Sequence, residues 1–236
     1  MIMRQAKSIF ITGTDTDVGK TLVSGLLLRF LRHQGTDAGY QKWAATGGAE
    51  NPADLAACLR LAGLAPDPAL LDLRVPYRFS QPFSPHLAAE LDQREIDPEK
   101  IVAAYRALAA RYEVLIVEGV GGLLVPLRRD LLLVDLLGRL GIPTIIVARS
   151  GLGAINHALL TIEALRARRI PAAGVIFTDV AAVDERLAAD NIRTIAALGQ
   201  VNILGRLPYR PEQHELLADF APIGAKISAL LARQVP

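Results

Sequence analysis

Cysteine is almost missing from this chain: Cys58 is the single one among 236 residues. No intrachain disulfide can form, and a thiolate metal site has no ligand set to draw on. Charge of one sign is missing too, with 26 basic against 24 acidic side chains and a net charge of +2. Aromatic residues make up 5%, and none interleave with a basic run, which argues against nucleic acid as a partner. The short clusters Arg166-Ala167-Arg168-Arg169 and Arg128-Arg129 read as solvated surface, the first near a helix C-terminus where cations suit the dipole. No apolar run reaches the roughly 18 uncharged residues of a membrane span. The densest segment, 130–146, is broken by Asp135, Arg139 and Pro143. The first residues lack the charged, apolar, small-residue plan of a signal peptide, so a cytoplasmic location without a membrane partner is expected. A Ser/Gly-rich linker and an internal repeat are also absent, and one domain over 1–236 is expected.

Hydrophobic residues, at 51%, are plentiful enough to build a substantial core. Apolar, β-branched runs at 8–12, 37–42, 114–118, 144–148, 173–178 and 202–207 alternate with helical patterns at 20–34, 52–62, 98–111, 130–140, 154–168, 184–198 and 223–233. In the first helical pattern Leu22, Val23, Leu26, Leu27, Phe30 and Leu31 share one face. The alternation predicts an α/β fold: a mostly parallel sheet with helices on both faces. The proline-rich stretch 66–98 reads as an irregular connection over the sheet edge or the site. Ligands in such folds sit beyond the carboxyl ends of the strands, so chemistry is sought just after each one.

The first strand runs into Gly13-Thr14-Asp15-Thr16-Asp17-Val18-Gly19-Lys20-Thr21, and the loop opens onto an apolar helix. This is the layout of a phosphate-binding loop, in which backbone N–H groups and a helix N-terminus face polyphosphate. Lys20 is placed to reach the outer phosphates and the Thr21 hydroxyl to reach Mg²⁺. In the frame Gly-x4-Gly-Lys-[Ser/Thr] the first position is Thr14, and Gly13 lies one residue earlier.

Further candidates follow the later strands. Lys42 ends the second, where a cation can hold a transferring phosphoryl group. Asp54 serves equally as a first-turn acid at a helix start or as a carboxylate facing Mg²⁺. Val114-Leu115-Ile116-Val117 ends in Glu118 and the glycine-rich turn Gly119-Val120-Gly121-Gly122, the second metal element of phosphate-loop enzymes with Glu where Asp is commoner. Thr21, Glu118 and Asp54, with phosphate oxygens, would complete an oxygen shell for Mg²⁺. Ser84-Pro85-His86 reads as an N-cap, a Pro at the first helical position and a helix start. Gly151-Leu152-Gly153 opens another helix and can present backbone N–H groups to an anion, with His157 read as a packing residue. Thr178-Asp179 ends a strand where a base-reading side chain can sit.

Taken together, residues 13–21, Lys42 to Gly47, Ser84-Pro85-His86, Glu118 to Gly122 and Gly153-Ala154-Ile155-Asn156-His157 resemble the ATP-dependent dethiobiotin synthetases, over about Ile9 to Pro208. The resemblance implies that CO₂ is joined to 7,8-diaminononanoate with ATP and Mg²⁺. A substrate amine becomes a carbamate, the carbamate takes the γ-phosphoryl group, and the second amine displaces phosphate to close the ureido ring. It also implies Thr21, Asp54 and Glu118 on Mg²⁺, and Lys20 and Lys42 on the γ-phosphate with Thr16 beside them. Asp17, Val18, Gly19, Lys20, Thr21 and Leu22 would line the nucleotide, as would Gly119, Val120 and Gly121. Thr178, Asp179, Pro208, Tyr209 and Arg210 would lie toward the base. Thr46 and Gly121 would face the diamine and its carbamate, while Gly153 and Asn156 would hold substrate near the interface of a homodimer. Three positions depart from the family's usual pattern: Trp43 for Pro, Thr178 for Asn and Asp17 for Glu.

The alternative is a partner-regulated ATPase of the partitioning and division-site type. Those loops carry a lysine near their start, whereas this loop has none before Lys20. An amide ligase of the cobyrinate diamide synthase type comes fused to an amidotransferase domain, for which 236 residues leave no room.

Overall fold

The computed structural model describes residues 6–210 and 213–234. From the amino end, β1 (Lys7–Gly13) feeds α1 (Lys20–His33), β2 (Ala38–Lys42) and the short β3 (Ala44–Thr46). Next come α2 (Ala53–Ala62), a 3₁₀ turn (Pro68–Leu70), α3 (Leu71–Arg74), β4 (Tyr77–Phe79), α4 (Pro85–Leu91) and α5 (Pro98–Ala109), which lead to β5 (Val114–Gly122). The second half holds β6 (Pro126–Arg128), β7 (Leu131–Leu132), α6 (Leu133–Leu140), β8 (Thr144–Arg149) and α7 (Ala154–Ala167). It ends with β9 (Ala172–Thr178), α8 (Glu185–Gly199), β10 (Ile203–Leu207) and α9 (Gln213–Ala232).

Six strands form one sheet in the order β10-β9-β8-β1-β5-β2, and every pairing is parallel. Parallel strands are covered on both faces, which is why 9–11 in β1 and 114–117 in β5 read as unbroken apolar runs. Successive side chains divide between the two layers. Ile9, Ile11, Ile116, Ile145 and Val147 pack with the apolar faces of α1, α2 and α9. Phe10, Leu115, Val117, Ile146 and Ala148 pack with those of α5, α6 and α7 on the other side. Because all six strands run the same way, Gly13, Lys42, Glu118, Arg149, Thr178 and Leu207 are brought to one edge of the sheet.

Each expected strand is present to within four residues at its ends. The expected helices are present too, with one large difference at the C-terminus. There the helix expected over 223–233 begins at Gln213 and continues through Pro222. Proline removes a backbone donor and usually breaks a helix. Here Leu216, Leu217 and Phe220, on the amino-terminal side of the proline, pack against the core and hold the helix together. Stretch 66–98 is also less irregular than expected: β4 pairs parallel with β3 as a separate small sheet. The expected helix over 130–140 starts at Leu133, because Leu131–Leu132 pair antiparallel with Pro126–Arg128. Among the described residues no helix is long and apolar enough to cross a membrane.

Candidate functional site

The loop after β1 closes tightly on itself. A Cβ on residue 13 would lie 2.7 Å from the Asp15 carbonyl oxygen and 2.9 Å from Lys20 Nζ, so the glycine needed here is Gly13, not residue 14. Gly19 caps α1 with φ +91°, a left-handed conformation that suits glycine. The Lys20 ammonium is folded back onto the Asp15 carbonyl at 2.7 Å. Burial, and then the nearby Lys42 charge, lower the Lys20 pKa to about 8. Thr16 is exposed, its backbone N–H donating to Asp15 Oδ1 at 2.7 Å. Its methyl lies 3.9 Å from the Cβ position of Gly121, across the mouth of the loop.

Beside this loop, β2 and β5 present Lys42 and Glu118 at the same register position. The Lys42 ammonium lies 2.7 Å from Glu118 Oε1 and 2.7 Å from Asp54 Oδ2. Burial alone would push Lys42 toward neutrality, but the charges of Glu118 and Asp54 overturn it and hold the group above its ordinary value. Burial likewise opposes ionisation of Asp54, and Lys42 outweighs it, lowering the Asp54 pKa. The Thr21 hydroxyl lies 2.8 Å from Glu118 Oε1 and 3.3 Å from Asp54 Oδ1. The residues separated in sequence as possible Mg²⁺ ligands are therefore brought together around one cation, the lysine ammonium.

That donor set can be tested against Mg²⁺. Among the described residues no group of three or more His, Cys, Asp or Glu is arranged to hold a metal. Two carboxylates and a hydroxyl are what converge here, all oxygen donors. Mg²⁺ is bound in this way when substrate phosphates and waters complete the octahedron. The residues fit the group.

Sequence reasoning missed Tyr40, whose hydroxyl donates to Glu118 Oε2 at 2.9 Å in the interior. Its position two residues before Lys42 on a strand, and so on the same face, was the available signal. It also missed Arg149, which ends β8 and places a guanidinium nitrogen 3.5 Å from the Asp17 carbonyl. Trp43 takes the place of proline without opening the loop. It is fully buried, its ring lies 4.7 Å from that of Phe10, and its backbone N–H donates to the Glu118 carbonyl at 3.2 Å, a bond proline could not make.

The remaining candidates lie around this cluster. Thr178 is buried, with its hydroxyl donating to the Val18 carbonyl and its side chain against Gly19. Asp179 is committed inside the protein, accepting from Ser150 and pairing with Arg206 at 2.6 Å. Pro208, Tyr209 and Arg210 follow β10, with Tyr209 exposed and Arg210 paired to Asp219 at 2.8 Å. Thr46 is half-buried at the end of β3, and the backbone of Val18 and Leu22 flanks the loop and first helical turn. Gly153, Asn156, His157 and Leu160 form an exposed face of α7 and its cap. His157 thus faces outward, contrary to its expected packing role, because position 158, not 157, falls on the buried side of the helix. Ser84 holds the N-cap position of α4, but its hydroxyl meets His86 Nδ1 at 3.1 Å and not a backbone donor.

Known proteins match both the fold and the sequence. A family model described as an AAA domain matches residues 7–215. The MinC:MinD cell division protein complex of Aquifex aeolicus superimposes with a TM-score of 0.61 over 98% of both chains, at 17% identity, which speaks for the fold alone. Sequence similarity goes much further. The ATP-dependent dethiobiotin synthetase of Halalkalibacterium halodurans is 39% identical over 218 residues, covering 90% of this chain and 89% of the relative. That of Rhodopseudomonas palustris is 46% identical over 202 residues, covering 86% and 85%. With identity of this order across nearly the whole sheet, and with the phosphate loop, the paired lysines and the strand-end carboxylate all in place, the chain belongs to the ATP-dependent dethiobiotin synthetase family.

Proposed function

We propose that this chain forms dethiobiotin from 7,8-diaminononanoate, CO₂ and ATP, with release of ADP and phosphate. The observation that carries the reading is the Lys42 ammonium bridging Asp54 and Glu118 at 2.7 Å each, beside the Thr21 hydroxyl and the phosphate loop. One substrate amine adds to the carbon of CO₂ and gives up a proton to form a carbamate, whose oxygen then attacks the γ-phosphorus as the bond to ADP breaks. The second amine then attacks the carbamate carbon, phosphate leaves, and the ring closes. Charge has to be neutralised throughout phosphoryl transfer, and little covalent work falls to the protein. Lys20 serves the β- and γ-phosphates. Lys42, on a flexible four-carbon stem, exchanges a carboxylate for a γ-phosphate oxygen. Thr21, Asp54 and Glu118 would hold Mg²⁺, which when bound supplies positive charge to the β- and γ-phosphate oxygens. Thr16 and Gly121 close the mouth between loop and β5, and Thr46 with Gly121 faces the diamine and its carbamate.

The nucleotide lies along Asp17 to Leu22 and Gly119 to Gly121, with its base toward Thr178, Asp179 and the segment Pro208-Tyr209-Arg210. Gly153 and Asn156 serve the interface with a second copy: both stand exposed, at the cap and in the first turn of α7. This supports a homodimer with sites near the interface.

The test measures phosphate release with Mg²⁺, bicarbonate and 7,8-diaminononanoate, and identifies the product by mass. Diamine-dependent dethiobiotin is the expected result. ATP hydrolysis indifferent to the diamine, without that product, would move the assignment to a partner-regulated ATPase.

A further inference from the structure

The two oxygens of Glu118 are not equivalent. Glu118 is fully buried at the sheet edge, and Oε1 receives both Lys42 Nζ at 2.7 Å and Thr21 Oγ1 at 2.8 Å. Oε2 points the other way and accepts one side-chain bond, from the Tyr40 hydroxyl at 2.9 Å. A carboxylate at the end of a glutamate turns easily, since its terminal torsion is broad and nearly two-fold. Something must therefore hold the carboxylate plane once Lys42 leaves for the nucleotide.

Tyr40 is built for this. It is 1% exposed, so its hydroxyl has been withdrawn from water and needs an internal partner. A phenylalanine would fill the same space without that need. β2 presents Tyr40 and Lys42 on one face, two residues apart, with Tyr40 opposite Ile116 and Lys42 opposite Glu118 on β5. A rigid pair of hydrogen-bonded strands thus sets the distance from phenol to carboxylate. In this bond the phenol is the donor and Glu118 Oε2 the acceptor.

We propose that Tyr40 is a positioning residue, whose hydrogen bond to Oε2 turns Oε1 of Glu118 toward the cation pocket formed with Thr21 and Asp54. This rests on the reading of Glu118 as a ligand of the nucleotide-bound metal. Hydrogen bonds that orient ligating carboxylates are worth about 10–100-fold in metal affinity or activity.

The test uses Mn²⁺ as a spectroscopic substitute for Mg²⁺, with a non-hydrolysable ATP analogue bound to the full-length protein. Paramagnetic resonance then measures metal affinity in wild type, Tyr40→Phe, Glu118→Gln and the double variant. Tyr40→Phe is expected to weaken Mn²⁺ binding by about 10–100-fold. In the Glu118→Gln background it should change affinity little further, because the hydrogen bond acts through the carboxylate. Wild-type Mn²⁺ affinity in Tyr40→Phe, or an equal loss on top of Glu118→Gln, overturns the proposal. The second comparison still decides it if Tyr40→Phe alone, with an unpartnered buried oxygen, does not fold. Glu118→Gln with wild-type affinity would instead remove Glu118 from the metal site, a separate failure of the underlying reading.

Discussion

At the scale of single residues, the site is a balanced set of charges: two lysines facing two carboxylates, with Lys42 held between both acids. Lys42→Ala is expected to lower turnover by about 10²-fold or more, as loss of a donor to transition-state charge does. ATP affinity should change far less, because Lys20 and the loop backbone remain. Single-turnover rates compared with equilibrium binding of ATP check this on protein shown by its thermal transition to be folded, since the variant leaves two acids without their cation. Equal losses in both would place Lys42 in ground-state binding. Lys20 gives a pH dependence. Its folded pKa, about 8, lies below the ordinary 10.5, so the folded protein releases this proton first. Between those values the unfolded chain binds more protons, and this group's contribution to stability rises with pH. Below pH 8 the full penalty of burying the charge is present, on the order of 3 kcal/mol at about 1.4 kcal/mol per unit. Phosphate wants the charged form, so the trend for binding is opposite: ATP affinity should fall as pH rises above about 8, by up to about tenfold per unit. Titrations from pH 7 to 9.5 should show that decline in wild type and its loss in Lys20→Arg. A flat wild-type profile would mean that Lys20 stays protonated throughout.

Elements position these residues, and the contact between α1 and α2 is the sensitive one. α1 begins with Lys20 and Thr21, and α2 carries Asp54 in its first turn. Gly25 makes their approach possible. A Cβ there would lie 2.7 Å from Leu61 Cβ and 3.2 Å from the Cys58 carbonyl oxygen, both on α2. Gly25→Ala improves helix propensity by about 1 kcal/mol, yet overpacking of this sort costs about 1–3 kcal/mol. The expected result is a lower melting temperature together with a higher Mg²⁺ requirement, because α2 is pushed away and Asp54 moves with it. Unchanged stability and metal dependence would show that α2 yields without moving Asp54. Much of this scale is legible from sequence. Strand and helix periods depend on local spacing, so the alternation was visible in runs such as 114–118. The survival of α9 through Pro222 was not, because packing of Leu216, Leu217 and Phe220 against the core outweighs the local preference. The hairpin of Pro126–Arg128 with Leu131–Leu132 is local, but its strands of three and two residues are too short for a period to show.

For the whole molecule, the parallel sheet collects every strand end at one edge, and the turn before α7 shares that edge. Leu152 in this turn is 94% exposed, and Leu160 on the same helix is 56% exposed. In a homodimer those side chains, with Gly153 and Asn156, are expected to meet the second copy. Wild-type protein should therefore run at twice the 25.4 kDa chain mass by light scattering. Leu152→Asp should shift it toward the monomer and reduce turnover at low protein concentration, with recovery as concentration rises. A monomeric wild type with full activity would place the whole site within one chain. What the sequence determined by itself is the chemistry available: a phosphate loop between β1 and α1, lysines and a glutamate at strand ends, and the alternation that makes the sheet parallel. Each of these is written in neighbouring residues, where turn chemistry and hydrophobic period act. Only the tertiary structure decided which groups meet. Thr21 reaches Asp54 across 33 positions and Glu118 across 97, Lys42 reaches Glu118 across 76, and Tyr40 claims the far oxygen across 78. It also decided that Asp179 is held internally by Ser150 and Arg206. These pairings follow from strand order and helix packing, which local spacing does not encode, and they turn a set of suitable residues into a site.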